Sequence, residues 1–302
     1  MKILKADSAK LTEPIAVALG MFDGVHLGHQ KIIEQAQAYA AEYGLKTAVV
    51  TLANHPRELT QGRAPSLLTD LEARLKLFER LAIDYVLVLD FTPDLMNTSA
   101  EEYLQKYLVD VLNSKFISIG YDHHFGHGRE GSPKMLAEWC KQQGVELNVL
   151  EAFNFENYLV SSSVIRELIR EGNISLANRL LGHKYFVLGE VVHGDGRGNQ
   201  IGYPTANLKL SPGVRLPAHG VYAAEVELEA GTHKALVNIG TRPTFKTDDQ
   251  LSVEVHILDF EGDLYDQILH LAFVDKIRDE IKFSSKEELI AQIEKDKECY
   301  TN

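Results

Sequence analysis

Cysteine is almost missing from the chain: Cys140 and Cys299 are the whole complement in 302 residues. Neither a disulfide framework nor a thiolate metal site can be assembled from them, and a reducing compartment fits best. Long apolar runs are lacking too. No segment approaches the roughly 18 apolar residues of a membrane span, and the opening MKILKADSAK holds no sustained apolar stretch. Neither export nor membrane insertion is therefore expected, and a cytoplasmic location is. Positive charge is scarce, with 31 Lys and Arg against 43 Asp and Glu and a formal net charge of −12. Without a basic block, neither a nucleic acid nor an anionic membrane is an expected partner, which leaves small molecules. Internal repeats and low-complexity stretches are also absent.

What is present is the composition of a folded protein, 45% hydrophobic and 25% charged, long enough for two domains. Up to about residue 150, short β-rich runs alternate with segments of helical period, the pattern of an α/β domain with a parallel sheet. Strands are expected at Ile15–Leu19, Lys46–Leu52, Tyr85–Leu89, Phe116–Ile119 and Glu146–Leu150. Helix starts are expected where Thr69 and Glu72, and Ser99 and Glu102, have capping-box spacing, and where Pro133 follows Ser132. A helical pair, Ser163–Glu171 and Ser175–Leu181, runs to Gly182, where the domain boundary is placed, giving domains 1–182 and 183–302. Beyond it the period falls to two. In VYAAEVEL, Tyr222, Ala224, Val226 and Leu228 share one face, and similar runs at 185–192, 234–239, 252–258 and 267–273 predict a small antiparallel barrel. A last helix starts near Ser284, with Ser285 and Glu288 at capping-box spacing.

Chemistry gathers first in GMFDGVHLGHQ, residues 20–30, between an expected strand and an expected helix, where backbone N–H groups and the helix dipole attract phosphate. Gly20, Gly24 and Gly28 allow close approach of a nucleotide. His26 and His29, three apart, can project to one side of a helix starting near Leu27 and stabilise charge on a phosphoryl oxygen; helix-capping histidines are the plain alternative. In SSSVIR, residues 161–166, Ser162 and Ser163 stand at a helix start with Arg166 one turn on, suited to phosphate or to simple N-capping. His123, His124 and His127 lack further ligands at recognisable metal-site spacing, so no transition-metal site is expected.

The C-terminal half offers VVHGDGRGNQIGYPTANL, residues 191–208, whose glycines can present N–H groups to phosphate or simply form a hairpin. If PTAN is extended, Thr205 and Asn207 share a face and offer neutral oxygens of the kind Mg²⁺ accepts. In SVEVHILDF, Val253, Val255 and Ile257 point one way and Glu254 with His256 the other, so Glu254 is a mid-strand carboxylate opposite an apolar face.

These segments carry a resemblance. GMFDGVHLGHQ is similar to the signature of the nucleotidylyl transferase superfamily, in its bacterial FAD synthetase form, and GYPTAN after GRG resembles the riboflavin kinase signature. VEVHILDF, PAHGVYA at 217–223, NIGTRPTF at 238–245 and FVDKIRDEIKF at 273–283 agree with the second. Nearly the whole chain thus resembles the bifunctional prokaryotic FAD synthetase family. The resemblance implies a Rossmann-like nucleotidylyl transferase domain followed by a β-barrel riboflavin kinase domain with a C-terminal helix, making FMN from riboflavin and FAD from FMN with ATP and Mg²⁺. It implies His26, His29 and Arg166 at the adenylyl-transfer site and Glu254 as the kinase base, with Thr205 and Asn207 at the metal. ATP or flavin contacts would come from Gly20, Phe22, Asp23, Gly24, Gly28, His55, Asp122, Phe125, Ser162 and Ser163 in the first domain. In the second they would come from Gly194, Gly196, Arg197, Gly198, Gly202 and Arg278.

Three departures stand out. Leu52 and Asn54 replace an aromatic and a proline before His55, His123 stands where Phe is usual, and Asp266 replaces a Gly after Asp-Leu-Tyr. The first two motivate a rival reading, a riboflavin kinase whose N-terminal domain makes little FAD. A flavin store without turnover is a further alternative, against which the His and Glu constellations stand.

Overall fold

The computed structural model describes residues 1–194, 198, 201–241 and 251–301, and the chain forms two compact units, Met1–Ser162 and Ser163–Asn302. In the first, strands β1 (Lys2–Leu4), β2 (Ile15–Leu19), β3 (Lys46–Leu52), β4 (Tyr85–Leu89), β5 (Ser114–Gly120) and β6 (Glu146–Leu150) form one sheet in the order β1-β4-β3-β2-β5-β6. Every pairing is parallel. A parallel sheet is covered on both faces and needs apolar side chains on both sides of its strands; Ile15, Ala16, Val17, Ala18 and Leu19 of β2 are all buried accordingly. The connections alternate through α1 (Leu27–Tyr43), α2 (Pro56–Gln61), α3 (Leu71–Arg80), α4 (Pro93–Asn97), α5 (Ala100–Tyr103) with a π-helical extension to Val111, and α6 (Pro133–Gln143). Because β3 and β5 flank β2 on opposite sides, its carboxyl end is the point where the chain's winding reverses, the usual ligand crevice of such sheets.

Helix boundaries follow local chemistry, with one correction. Ser99 and Glu102 form the expected capping box, and Ser132 caps α6 ahead of Pro133. Thr69 does not cap α3. Asp70 does, accepting from Ala73 N–H at 2.8 Å, because the Thr69 hydroxyl is engaged by Gly24 N–H at 2.9 Å.

In the second unit, α7 (Ser162–Glu171) begins one residue earlier than expected, and α8 (Ile174–Leu181) is capped by Asn173 and closed by Gly182 at φ 75°. Strands β9 (Phe186–Val192), β10 (Ala206–Leu210), β11 (Gly220–Leu228), β12 (Gly231–Thr241), β13 (Leu251–Ile257) and β14 (Ile268–Arg278) close into a barrel in the order β10-β13-β12-β11-β14-β9, with α9 (Lys286–Thr301) following. The residues between β6 and α7 form a small hairpin, β7 (Asn154–Phe155) and β8 (Tyr158–Leu159), in the first unit. The alternation holds in part: Tyr222, Ala224 and Val226 are buried, as are Val253, Val255 and Ile257, but Leu228 of the same face is half-buried and Val221 and Ala223 of the opposite face are buried too. At the start of α9 the box is offset. Ser285 Oγ accepts from Glu288 N–H at 3.2 Å, and the Glu288 carboxylate reaches back past it to Ser284, accepting from its N–H at 3.0 Å and its hydroxyl at 2.8 Å.

Candidate active sites

The loop leaving β2 is built under strain. Phe22 and Val25 hold positive φ of 53° and 40°, Gly24 lies at 81°, and such values in bulky or β-branched residues persist only where surrounding structure fixes them. Here the fixing is visible. Asp23, only 2% exposed, accepts N–H bonds from Leu68 at 2.9 Å and Thr69 at 3.0 Å, while its own carbonyl accepts from Ser162 Oγ at 3.0 Å. Phe22 is enclosed, edge-on to Phe78 at 5.8 Å, and its ring fills the space beside Gly20, where an added Cβ would come within 3.0 Å.

The result is a pair of histidines in defined orientation. His26 is the N-cap of α1, its Nδ1 accepting from His29 N–H at 3.2 Å, so a neutral His26 carries its proton on Nε2. The two rings stack at 3.5 Å and 14°, with the His29 ring edge-on to Phe22 at 5.2 Å. Gly28 completes the packing, since a Cβ there would stand 3.3 Å from the His26 ring. Capping and alignment are therefore one arrangement rather than alternatives.

Neighbouring strand ends carry the other first-domain residues. His55 caps α2 through Nδ1 and Arg57 N–H at 3.1 Å. Asp122 is exposed, with its carbonyl 2.8 Å from His124 Nδ1, and Phe125 is buried between His123 and Tyr103 at 5.8 and 5.6 Å. Gly131 must be glycine here, because a Cβ would strike the Phe125 ring at 2.6 Å. Ser163 and Arg166 belong to the second unit, Ser163 exposed and Arg166 half-buried, one turn apart on α7.

In the barrel, strand register does what the sequence could not show. Glu254 on β13 is the direct cross-strand partner of Asn207 on β10 and of Asn238 on β12, all on the outer face. Asn207 is only 8% exposed. Two glycines lie against the PTAN side chains: a Cβ on Gly194 would stand 2.1 Å from Asn207 Nδ2, and one on Gly198 would stand 3.2 Å from Thr205 Oγ1. Gly202 takes φ 85° in open space. Gly196 and Arg197 lie outside the described residues. Arg278 ends β14 and forms a two-pronged pair with Asp296 of α9, Nε and Nη2 at 3.0 and 2.8 Å from Oδ2, and it is half-buried.

With this geometry in place, the sequence comparisons are decisive. The FAD synthetase family profile matches residues 8–164 and the riboflavin kinase profile residues 181–302. A bifunctional riboflavin kinase/FMN adenylyltransferase of Listeria monocytogenes is 37% identical over 93% of this chain and 90% of its own. The chain belongs to the bifunctional riboflavin kinase/FMN adenylyltransferase family. The family's Bacillus subtilis member is 36% identical over 98% of this chain and 93% of its own. A crystal structure described as a macrolide-efflux protein from Streptococcus pneumoniae superposes with a TM-score of 0.90 at 30% identity, covering 100% of this chain and 99% of that one. Among the described residues here, no helix is long and apolar enough to cross a membrane.

Three of the departures, Asn54, His123 and Asp266, have local explanations, and nothing in the structure explains Leu52. Asn54 exchanges both side-chain bonds with residue 91, Nδ2 to Phe91 carbonyl at 3.2 Å and Oδ1 from Phe91 N–H at 2.8 Å, tying the end of β3 to the segment after β4. His123 behaves as the aromatic it replaces: its ring stacks on Phe125, its Nε2 has no hydrogen-bond partner among the described residues, and burial pushes its pKa down to about 4. Asp266 adopts φ 63°, the left-handed region that glycine prefers and that Asp tolerates.

One supporting residue escaped the sequence reading. Arg74 of α3 is wholly buried, and its Nη1 reaches Met21 carbonyl at 2.7 Å, Leu52 carbonyl at 2.9 Å and Thr51 Oγ1 at 2.9 Å. It thereby stitches the exits of β2 and β3 beneath the histidine loop. The signal was there: a lone cation on a face shared with the buried Ala73, Leu77 and Phe78.

Proposed function

We propose that this chain makes FMN and then FAD: riboflavin is phosphorylated by ATP at the C-terminal barrel, and FMN is adenylylated by a second ATP at the N-terminal sheet, releasing pyrophosphate. Family membership supports both activities rather than a kinase with an idle N-terminal domain. The observation that carries the residue assignment is the placement of Glu254 directly beside Asn207 in the barrel wall.

At the barrel, Glu254 takes or orients the proton of the riboflavin 5′-hydroxyl as that oxygen attacks the γ-phosphorus and the bond to the β-phosphate oxygen breaks. A strand-borne carboxylate holds this position at little entropic cost. Thr205 and Asn207 supply neutral oxygens of the kind Mg²⁺ accepts, and glycine, which has no side chain to crowd them, lies against both. Among the described residues no group of three or more His, Cys, Asp or Glu could hold a metal ion. When bound, Mg²⁺ neutralises phosphate charge. Gly194, Gly196, Arg197, Gly198 and Gly202 are assigned to the triphosphate loop, and Arg278 to the flavin side.

At the sheet, an FMN phosphate oxygen attacks the α-phosphorus of ATP and pyrophosphate leaves. No base is required, because the nucleophile is already anionic. His26 Nε2–H and His29 hydrogen-bond the α-phosphate oxygens where charge builds. Gly20, Gly24 and Gly28 shape the loop, Phe22 and Asp23 hold it, and His55, Asp122, Phe125 and Ser162 are assigned to nucleotide or flavin, as is Ser163 on the SSSVIR motif alone. The charge role of Arg166 is proposed on the SSSVIR motif alone. We place the functional boundary at Gly182 and both reactions in the cytoplasm.

The test is a product assay on purified protein given riboflavin, ATP and Mg²⁺. FMN is expected first and FAD later; FMN that accumulates without FAD would overturn the second half of the reading.

A further inference from the structure

The two oxygen-bearing residues of PTAN are anchored differently. Pairing of β10 with β13 begins at Ala206, opposite Val255, so Asn207 is fixed within the ladder and Thr205 lies just before it. The sheet does not set the position of Thr205. Something else does.

His256 follows Glu254 by two on β13, and alternation puts both side chains on the barrel's outer face, each half-buried. Its Nδ1 is 2.8 Å from the carbonyl oxygen of Pro204, the residue preceding Thr205. A carbonyl can only accept, so Nδ1 carries the proton and donates. The imidazole also meets the Tyr203 ring edge-on at 5.4 Å. Tyr203 is tied in turn at both ends, its N–H to Gly198 carbonyl at 3.0 Å and its hydroxyl to the Glu294 carboxylate of α9. The approach to Thr205 is thus pinned to the strand that carries Glu254 and to the C-terminal helix.

We propose that His256 is a positioning residue for phosphoryl transfer, fixing Thr205 relative to Glu254 by holding the Pro204 carbonyl to β13. This rests on the reading of the barrel as the kinase site. Transfer of this kind depends on positioning, and misplacement on the scale of an ångström can cost up to about a hundredfold. One strand would then set both the nucleophile's partner and the metal-side oxygen.

Three full-length proteins decide it: native, His256→Phe, which keeps a ring against Tyr203 but cannot donate, and His256→Asn, whose amide nitrogen takes the place of Nδ1. With ATP varied, kcat/KM of the kinase step is expected to fall about tenfold in the Phe variant and to return to within about twofold in the Asn variant, as loss and rescue of one hydrogen bond at a positioned group require. FAD formation from supplied FMN should be unchanged in both. Amide exchange of Tyr203, Thr205 and Ala206, measured without nucleotide or metal, should quicken in the Phe variant and not in the Asn variant. A Phe variant with native exchange and native kcat/KM would overturn the proposal, as would an Asn variant as impaired as the Phe variant, or quickened exchange with unchanged kinetics. Failure of the parent reading is separately visible: Glu254→Gln would retain the native kinase rate whatever the exchange data show.

Discussion

Asn207 and Glu254 sit opposite one another across β10 and β13, so a side-chain amide and a carboxylate share one stretch of barrel wall. Gly194 lies against the first of them. Substituting alanine there would drive a Cβ to 2.1 Å from Asn207 Nδ2, forcing Asn207 to turn. Gly194→Ala is expected to lower the kinase kcat/KM for ATP by at least about tenfold, a loss of positioning rather than of a reactive group, with FAD formation from FMN unchanged. Steady-state kinetics of the two half-reactions checks it.

His26 caps α1, and the proposed reaction gives it a second role as a donor to the α-phosphate; the two separate by substitution. Asparagine is a good N-cap but offers no Nε2–H, so His26→Asn should keep stability within about 0.5 kcal/mol while FAD formation drops about a hundredfold. His26→Ala should lose the cap as well, costing about 1 kcal/mol more. Chemical denaturation of both variants, read beside their rates, distinguishes the two.

How much of this was legible beforehand depends on distance along the chain. Alternation in VYAAEVEL and SVEVHILDF needs only neighbours, and Tyr222, Ala224, Val226, Val253, Val255 and Ile257 are buried as that pattern implies, whereas the burial of Val221 and Ala223 on the opposite face was not legible from it. β10 was not read as a strand, because PTANLKL is short and polar at its start, and its partner Glu254 is far off in sequence. Register of that kind is a property of barrel closure, not of a local pattern. Thr69 and Asp70 were equally able to cap α3, and only the long-range bond from Gly24 N–H decided between them. Arg74 was missed for the same reason, since its partners at the exits of β2 and β3 meet only in the folded sheet.

His123 gives a pH signature. Its folded pKa, lowered by burial to about 4, lies below the unfolded value of about 6.5, so the unfolded chain binds the proton first as pH falls. The stabilisation of the neutral ring is complete above about pH 6.5 and is lost as pH drops toward the folded value, by about 2 kcal/mol between pH 7 and 5. His123→Phe should flatten this limb, and urea unfolding of the N-terminal unit at the two pH values measures it.

Asp266 takes its left-handed φ of 63° at a cost that glycine does not bear. Asp266→Gly is expected to stabilise the barrel by roughly 0.5 kcal/mol, the conformational gain being partly offset by chain entropy. Calorimetry of the variant, with unchanged kinase kinetics, is the check.

The most direct test is a crossed pair of variants, Glu254→Gln and His29→Ala, each given riboflavin in one assay and FMN in another with ATP and Mg²⁺. Loss of about a hundredfold or more is expected only in FMN formation for the first and only in FAD formation for the second. If either substitution silenced both products from their own substrates, or if His29→Ala spared FAD and abolished FMN, the assignment of one reaction to each half would be contradicted.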